Sequence, residues 1–246
     1  MLVKIDAAQL EWRTAVWLSG DQVGIDEINS GADIHEGNRV AFNLPTRLIS
    51  KTYLFRTIFR GNGWSFANDP NFSHVSTDPE YWDDINTQFY KKYKGLDAWH
   101  QRLSELVIRG KPIVSPTGRF WKIPMKERQK KNWKTGKQEN VLDIPWTTLS
   151  NYPVQGTGAD IMKVARISLW NRIRAANAQT VLISTVHDDL KLDVPDNELD
   201  FVVKTATQVF DDLPKNFKKL WNIDLPIPFP GEVSVGKDLL NMEKVK

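Results

Sequence analysis

The stretch TVHDDL, Thr185 to Leu190, sets a histidine and two aspartates directly after the apolar run VLIS and directly before the alternating run LKLDV. Aspartate is a common turn residue, so a plain hairpin turn accounts for this segment as readily as a chemical site does. A second acid has a similar setting, because Asp6 follows the short β-prone run LVKI at residues 2–5. A sheet that laid the N-terminal strand beside the late hairpin would bring Asp6 and Asp188 side by side. Carboxylates that close repel unless a cation sits between them. Mg²⁺ meets that need with one or two carboxylates plus substrate phosphates. Two such ions about 4 Å apart clamp the attacking and leaving oxygens of an in-line displacement.

A third group is cationic and aromatic. Arg47, Lys51, Phe55 and Phe59 recur every four residues after Pro45, a spacing that winds slowly along one face of a helix. Taken singly, the rings read as core and the cations as solvated surface. In this order, two cations suit a triphosphate and the rings beyond them suit a base. Together with the acids, the row points to phosphoryl transfer involving a nucleotide.

The elements that must position these groups follow from periodicity. A strand over residues 2–5 leads into a helix from Gln9 to Leu18. LSGD and INSGADIHEGN have loop and cap chemistry, with Gly20, Gly31 and Gly37 as breakers. Pro45 introduces a helix through TRLISKTYLFRTIFRG to Gly61, loops run to Pro79, and helices dominate from Glu80 to Arg109. PTGRFWKIP at 116–124 reads as a turn into a short strand. The basic run KERQKKNWKTGK at 126–137 reads as a solvated loop that could lie along phosphates. A long helix is expected from Thr157 to Ala176, with Ile161, Val164, Ile167, Leu169 and Ile173 mostly on one side. A hairpin around TVHDDL, one helix over 198–220 and a last strand GEVSVG at 231–236 complete an α+β order.

The 246 residues are enough for one large domain or two small ones, and 41% hydrophobic with 26% charged residues is ordinary globular composition. No run of eighteen apolar residues could span a membrane, and the N-terminus lacks the apolar core of a secretory signal. The absence of cysteine excludes disulfides and thiolate metal sites. The net charge of +3 permits a polyanionic partner without demanding one. A cytoplasmic setting, without secretion, is the expectation.

Four ordered motifs carry a resemblance to a known family. DAAQLEWR at 6–13 with LSGD and ADIH resembles the first polymerase motif of family A DNA polymerases. The helix with Arg47, Lys51 and Phe55 resembles that family's nucleotide-binding helix. YPVQGTGADIMKVA at 152–165 is similar to its segment that contacts template and primer, and VHDDL to its final catalytic motif. EVSVGKDLL resembles the closing strand and tail, so the likeness runs from Leu2 to about Leu240.

The resemblance implies an α+β palm with a mostly helical fingers subdomain: palm over 1–34, fingers over 35–137, palm again over 138–246. It implies that Asp6 and Asp188, with the Ala7 carbonyl, hold two Mg²⁺ ions, with Asp189 as a further acid of the catalytic group. Gln9, Glu11, His35, Arg47, Lys51, Phe55 and Phe59 would contact the incoming nucleotide, Glu11 by pressing on the sugar and excluding a 2′-hydroxyl. Asn151, Gln155, His187 and Arg119 would contact DNA. The family's pattern has tyrosine in place of Phe59, glycine in place of Arg56 and Arg60, and glutamate in place of Asp189. The implied activity is addition of dNTPs to a primer on a template, with pyrophosphate as product. Met1 stands five residues before the first acid, which leads to the expectation of a second polypeptide carrying the remaining palm, the thumb, and an exonuclease if there is one. Competing readings are a nucleic-acid-binding subunit without turnover and an RNA polymerase or reverse transcriptase-like enzyme, the latter disfavoured by Glu11.

Overall fold

The computed structural model describes residues 1–131 and 136–245. In chain order its elements begin with β1 (Leu2–Ala7), α1 (Leu10–Ser19), α2 (Gln22–Asn29), α3 (Ile34–Ala41), α4 (Arg47–Ile58) and α5 (Gly63–Ala67). Then come α6 (Pro79–Lys92), α7 (Lys94–Ile108), and the short strands β2 (Ile113–Val114) and β3 (Phe120–Trp121). A hairpin of β4 (Lys126–Lys131) and β5 (Gln138–Asp143) precedes α8 (Trp146–Ala175). The chain ends with β6 (Val181–Val186), β7 (Asp189–Asp193), α9 (Leu199–Asp211), α10 (Leu213–Trp221), β8 (Gly231–Gly236) and β9 (Met242–Lys244). The class is α+β.

By backbone contacts the chain divides into two compact units, one of residues 1–14 and 156–246 and the other of residues 15–155. These borders differ from the divisions at 34/35 and 137/138 expected from the sequence.

The first unit is built on an antiparallel sheet in the order β6-β7-β1-β8-β9. β1 alternates as the pleat demands, with Val3, Ile5 and Ala7 buried and Leu2, Lys4 and Asp6 on the other face. Its register sets Ile5 opposite both Leu190 and Val233, and Asp6 opposite Asp189 and Glu232. Leu190, Leu192 and Val194 are all but fully buried, as the alternation of LKLDV predicts. Within this unit Gly158 of α8 lets Leu10 come close: a Cβ there would stand 3.3 Å from the Leu10 side chain.

The second unit is helical around an aromatic core. Tyr53, Phe66, Phe72, Trp82 and Phe89 are fully buried. Tyr53 stacks on Trp82 at 6.2 Å, and Phe66 stands edge-on to Phe72 at 5.0 Å. Such pairs add about 0.5–1.5 kcal/mol each beyond the area they bury. The one buried hydroxyl in this stack is answered, since Tyr53 donates to Asn86 Oδ1 at 2.8 Å.

Several expectations are corrected. Gln9 adopts φ 54° and lies outside α1. Residues 20–21 and 30–33 are loop, with Gly20 and Gly31 as breakers and Asp21 and Asp33 as caps of α2 and α3, as expected; Gly37, however, sits inside α3 and breaks nothing. A capping box at Asn62 and Ser65 starts a short α5 in the supposed loop before Pro79. α8 begins at Trp146, eleven residues earlier than expected, and runs through Pro153. Leu149, Ser150 and Val154 are buried there, so packing outweighs the amide that Pro153 lacks. Ile167 is 55% exposed and is not on the buried face with Ile161, Val164, Leu169 and Ile173. The helix expected over 198–220 is two, α9 and α10, with Asp212 between them and Pro214 in the first turn of α10. Residues 126–131 form a strand paired with 138–143 instead of a loop; residues 132–135 of that basic run lie outside the described residues.

Candidate active site

In the first unit, β1 and the β6–β7 hairpin deliver the acids. Asp6 pairs in register with Asp189, and the Ala7 amide donates to the Asp188 carbonyl at 3.0 Å. Asp6 and Asp188 are therefore neighbours. His187, at the hairpin tip, takes φ 52° and is exposed. The Asp6 carboxyl is pushed above the ordinary carboxylate range, first by partial burial and then by the charge of Asp188, with Asp189 adding to it.

Two lysines that sequence reasoning missed moderate this crowding. Lys4 and Lys191 face one another in the same register, one step along the same sheet face. Lys191 donates to both oxygens of Asp189 at 2.7 Å, whereas Lys4 reaches Asp6 only at 3.5 Å. Asp189 thus has a close cationic partner, and Asp6 only a distant one. The signal was present as i, i+2 spacing in KID and DLK, which puts acid and base on one strand face. Among the described residues no group of three or more histidine, aspartate or glutamate side chains is arranged around a single metal position. What remains is a pair, Asp6 with Asp188, beside the Ala7 backbone. Hard oxygen donors under mutual repulsion fit a Mg²⁺ site completed by water and phosphate. Gln9 and Glu11 follow in the same unit, and the Gln9 Oε1 is buried without a hydrogen bond.

The second unit carries the cations. α3 holds His35, and α4 holds Arg47, Lys51 and Phe55. Asp33, also missed from the sequence, ties them together: its carboxylate accepts from the His35 and Glu36 amides and from Arg47 Nε at 2.8 Å. Its pKa is held low, chiefly by the Arg47 hydrogen bond. His35 is buried, its ring 6.4 Å from that of Phe55, and its Nδ1 has no partner among the described residues. Burial first, then the charges of Arg47 and Lys51, push its pKa down. His35, Arg47, Lys51 and Phe55 are therefore one cluster. Phe59 ends α4 and, with Phe55, Arg56 and Arg60, lines a cavity of about 480 Å³. Arg56 is paired with Asp69 and lies over the rings of Phe66 and Phe72. Arg119 lies just before β3, its amide donating to Ser115 Oγ, while Asn151 and Gln155 lie on α8.

Comparison with known proteins gives this geometry its context. The model of DNA polymerase family A matches residues 1–240. The chain is 25% identical over 252 aligned residues to the thermostable DNA polymerase I of Thermus aquaticus, covering 99% of this chain and 27% of that protein. It is 26% identical to DNA polymerase I of Lactococcus lactis, covering 96% of this chain and 26% of the relative. It thus spans about a quarter of the length of these relatives. Among solved structures, the POL domain of Pol1 from M. smegmatis, in complex with DNA primer-template and dNTP, shares the fold at a TM-score of 0.74 and 19% identity, over 96% of this chain and 39% of that one. No helix among the described residues is long and apolar enough to cross a membrane. With a family match over nearly its whole length, this chain belongs to DNA polymerase family A.

Proposed function

We propose that the chain is the catalytic part of a template-directed DNA polymerase, adding dNTPs to a primer 3′-hydroxyl with release of pyrophosphate. The observation that carries this reading is the juxtaposition of Asp6 and Asp188, through the Asp6–Asp189 register and the Ala7 amide bond to the Asp188 carbonyl, in a chain of this family. In this reading residues 1–34 and 138–246 serve as palm and residues 35–137 as fingers.

Asp6, Asp188 and the Ala7 carbonyl would hold two Mg²⁺ ions. When bound, the ions supply activation of the primer hydroxyl and charge neutralisation at the leaving pyrophosphate. Asp189, neutralised by Lys191, holds the hairpin's electrostatics steady beside them. His35, Arg47 and Lys51 grip the triphosphate; Asp33 orients Arg47 for that task. His35 enters neutral, so its unpaired Nδ1 is available for a hydrogen bond to ligand. Phe55 and Phe59 line the sugar and base pocket, Gln9 contacts the incoming nucleotide, and Glu11 excludes a 2′-hydroxyl. His187 touches the primer end. Asn151 and Gln155 meet the minor groove, whose acceptors are nearly sequence-independent, and Arg119 meets the DNA backbone.

A further polypeptide segment, in this chain's natural context or a separate partner, completes the palm. β6 is an outer strand with Val181, Ile183 and Val186 about half exposed, the kind of edge that recruits a neighbour. If so, the 246 residues alone run heterogeneously on size exclusion; a cooperative, monodisperse monomer contradicts this part.

The direct experiment is extension of a labelled primer on a template with Mg²⁺ and dNTPs, with and without a supplied N-terminal polymerase segment. One pyrophosphate per added nucleotide, and little product from ribonucleotides, supports the reading. Duplex binding without extension under both conditions identifies a binding subunit instead.

A further inference from the structure

The open face of the first unit's sheet carries a charge pattern that the chemistry above uses only in part. Lys4 stands opposite Lys191 and, two residues along each strand, Asp6 stands opposite Asp189. Residues paired in register share a sheet face, as do residues two apart on one strand, so these four side chains form one block over the buried Val3, Ile5, Leu190 and Leu192. Like charges directly opposite one another destabilise a strand pair. A sheet built for stability alone would set each lysine across from an acid. Here both acids are gathered at the end of the block next to Asp188, and both lysines at the other end.

The two ion pairs along the strands are unequal. Lys191 Nζ donates to Oδ1 and Oδ2 of Asp189 at 2.7 Å, and both side chains are only 16% exposed. Lys4 Nζ meets Asp6 through Oδ2 alone, at 3.5 Å, and those side chains are 32% and 38% exposed. Solvent screens an exposed ion pair until it is worth little, and the Lys191 pair is the better shielded of the two. One ammonium group therefore engages both oxygens of Asp189, while Asp6 is held at the limit of hydrogen-bond length.

This asymmetry bears on a divalent ion. Asp6, Asp188 and Asp189 lie at adjoining positions of β1 and the β6–β7 hairpin. Affinity for a hard cation rises with the number of charged oxygens that can reach it. An acid whose oxygens are both held by a lysine adds less to that number, and the lysine's own charge opposes the ion's.

We propose that Lys191 is a positioning residue that sets the site's affinity for divalent metal: by clamping Asp189 it withholds a third carboxylate and keeps the nucleotide-free site weak. The proposal rests on the polymerase reading for the presence of a metal site at Asp6 and Asp188. Its consequence is an order of events, since a site left with two carboxylates depends on substrate phosphates to complete the ion's shell.

The test is a titration of the full chain with Mn²⁺ at neutral pH, the free ion being read by EPR. Lys191→Met is expected to bind Mn²⁺ about tenfold more tightly than wild type, the lower end of the range by which groups bonded to a ligand residue change metal affinity. Asp189→Asn is expected to cost little alone and to abolish that gain in Lys191→Met/Asp189→Asn, a coupling that the double-mutant cycle reads. Lys191→Arg, which can hold Asp189 with two N–H groups, is expected to keep the wild-type affinity. Melts in EDTA and in Mn²⁺ accompany each titration. The ion is expected to raise the Tm of Lys191→Met by more than that of wild type, because a tighter ligand stabilises more at equal concentration. Should Lys191→Met melt abnormally, Lys191→Gln serves, with a smaller gain in the same direction.

Equal affinity in wild type and in Lys191→Met or Lys191→Gln overturns the proposal. So does an equal cost of Asp189→Asn in both backgrounds, which would mean that the lysine acts on the ion by its charge alone. The two readings fail differently. Uptake by wild type that Asp6→Asn abolishes, with no gain in the lysine variants, sinks this inference alone; no uptake by wild type or by any variant sinks the metal site of the polymerase reading and the inference with it.

Discussion

The acidic site of the first unit and the basic site of the second hold repulsion of opposite sign. In the first, burial first and then the charge of Asp188 push the Asp6 carboxyl up, and Lys4 meets it only loosely. In the second, burial first and then the charges of Arg47 and Lys51 push the His35 imidazole down. Each unit compensates with one firm pair beside the strained group: Lys191 with Asp189, and Arg47 with Asp33. The comparison teaches how the two sites divide the work. Under the proposed function, the first suits cations and the second suits anions, the two charges that a metal-bound triphosphate carries.

The hardest test of that division is to remove an acid. Asp6→Ala or Asp188→Ala is expected to lower extension by about 10³-fold, the scale of losing a group aimed at developing charge. Duplex affinity, which rests on phosphate contacts, should change little. Parallel loss of both activities would make the acids structural.

Removing a cation should act on binding. Lys51→Ala is expected to raise KM for dNTP by about 10- to 100-fold, since a charge-assisted hydrogen bond is worth about 1.5–3 kcal/mol. A fall in kcat with KM unchanged would break the assignment of the second unit to the triphosphate.

The histidines sharpen the contrast through pH. His100 is buried against the Ile58 carbonyl and Tyr90, with Arg60 nearby, and burial pushes its pKa down to about 3. A histidine depressed in the folded state adds stability that is complete above the unfolded value of about 6.5 and is lost as pH falls from there toward 3. His35 acts in the same direction. Urea unfolding should show stability falling by up to about 1.4 kcal/mol per pH unit below about pH 6 from His100 alone. His100→Gln should flatten that slope.

The smallest effect belongs to the metal-free acidic site. Asp6→Asn removes repulsion without removing packing, so in EDTA its Tm is expected to rise, at about 2–4 °C for each kcal/mol relieved. A lower Tm would mean that Asp6 is held by its neighbours and not strained by them.

How much of this was legible in the sequence varies with the physics involved. The strand carrying Asp6 and the hairpin carrying Asp188 were readable because period-2 alternation in VKI and LKLDV fixes which side chains go inside. The row on α4 was readable because a four-residue spacing belongs to a helix. Asp33 was not, because its value lies in meeting Arg47 fourteen residues away, which no local pattern reports. Gly37 within α3 read as a breaker and the first eleven residues of α8, Pro153 among them, were not read as helix; burial of neighbouring residues carries both helices through. The β4–β5 hairpin was hidden because its strands are charged and alternate too weakly to announce a buried face.

Binding of Mn²⁺, followed by its EPR signal at neutral pH, tests the pairing of Asp6 with Asp188 most directly. Wild-type protein should take up the ion, and Asp6→Asn and Asp188→Asn should each lose that uptake while melting as folded proteins. Equal uptake by all three would contradict the account.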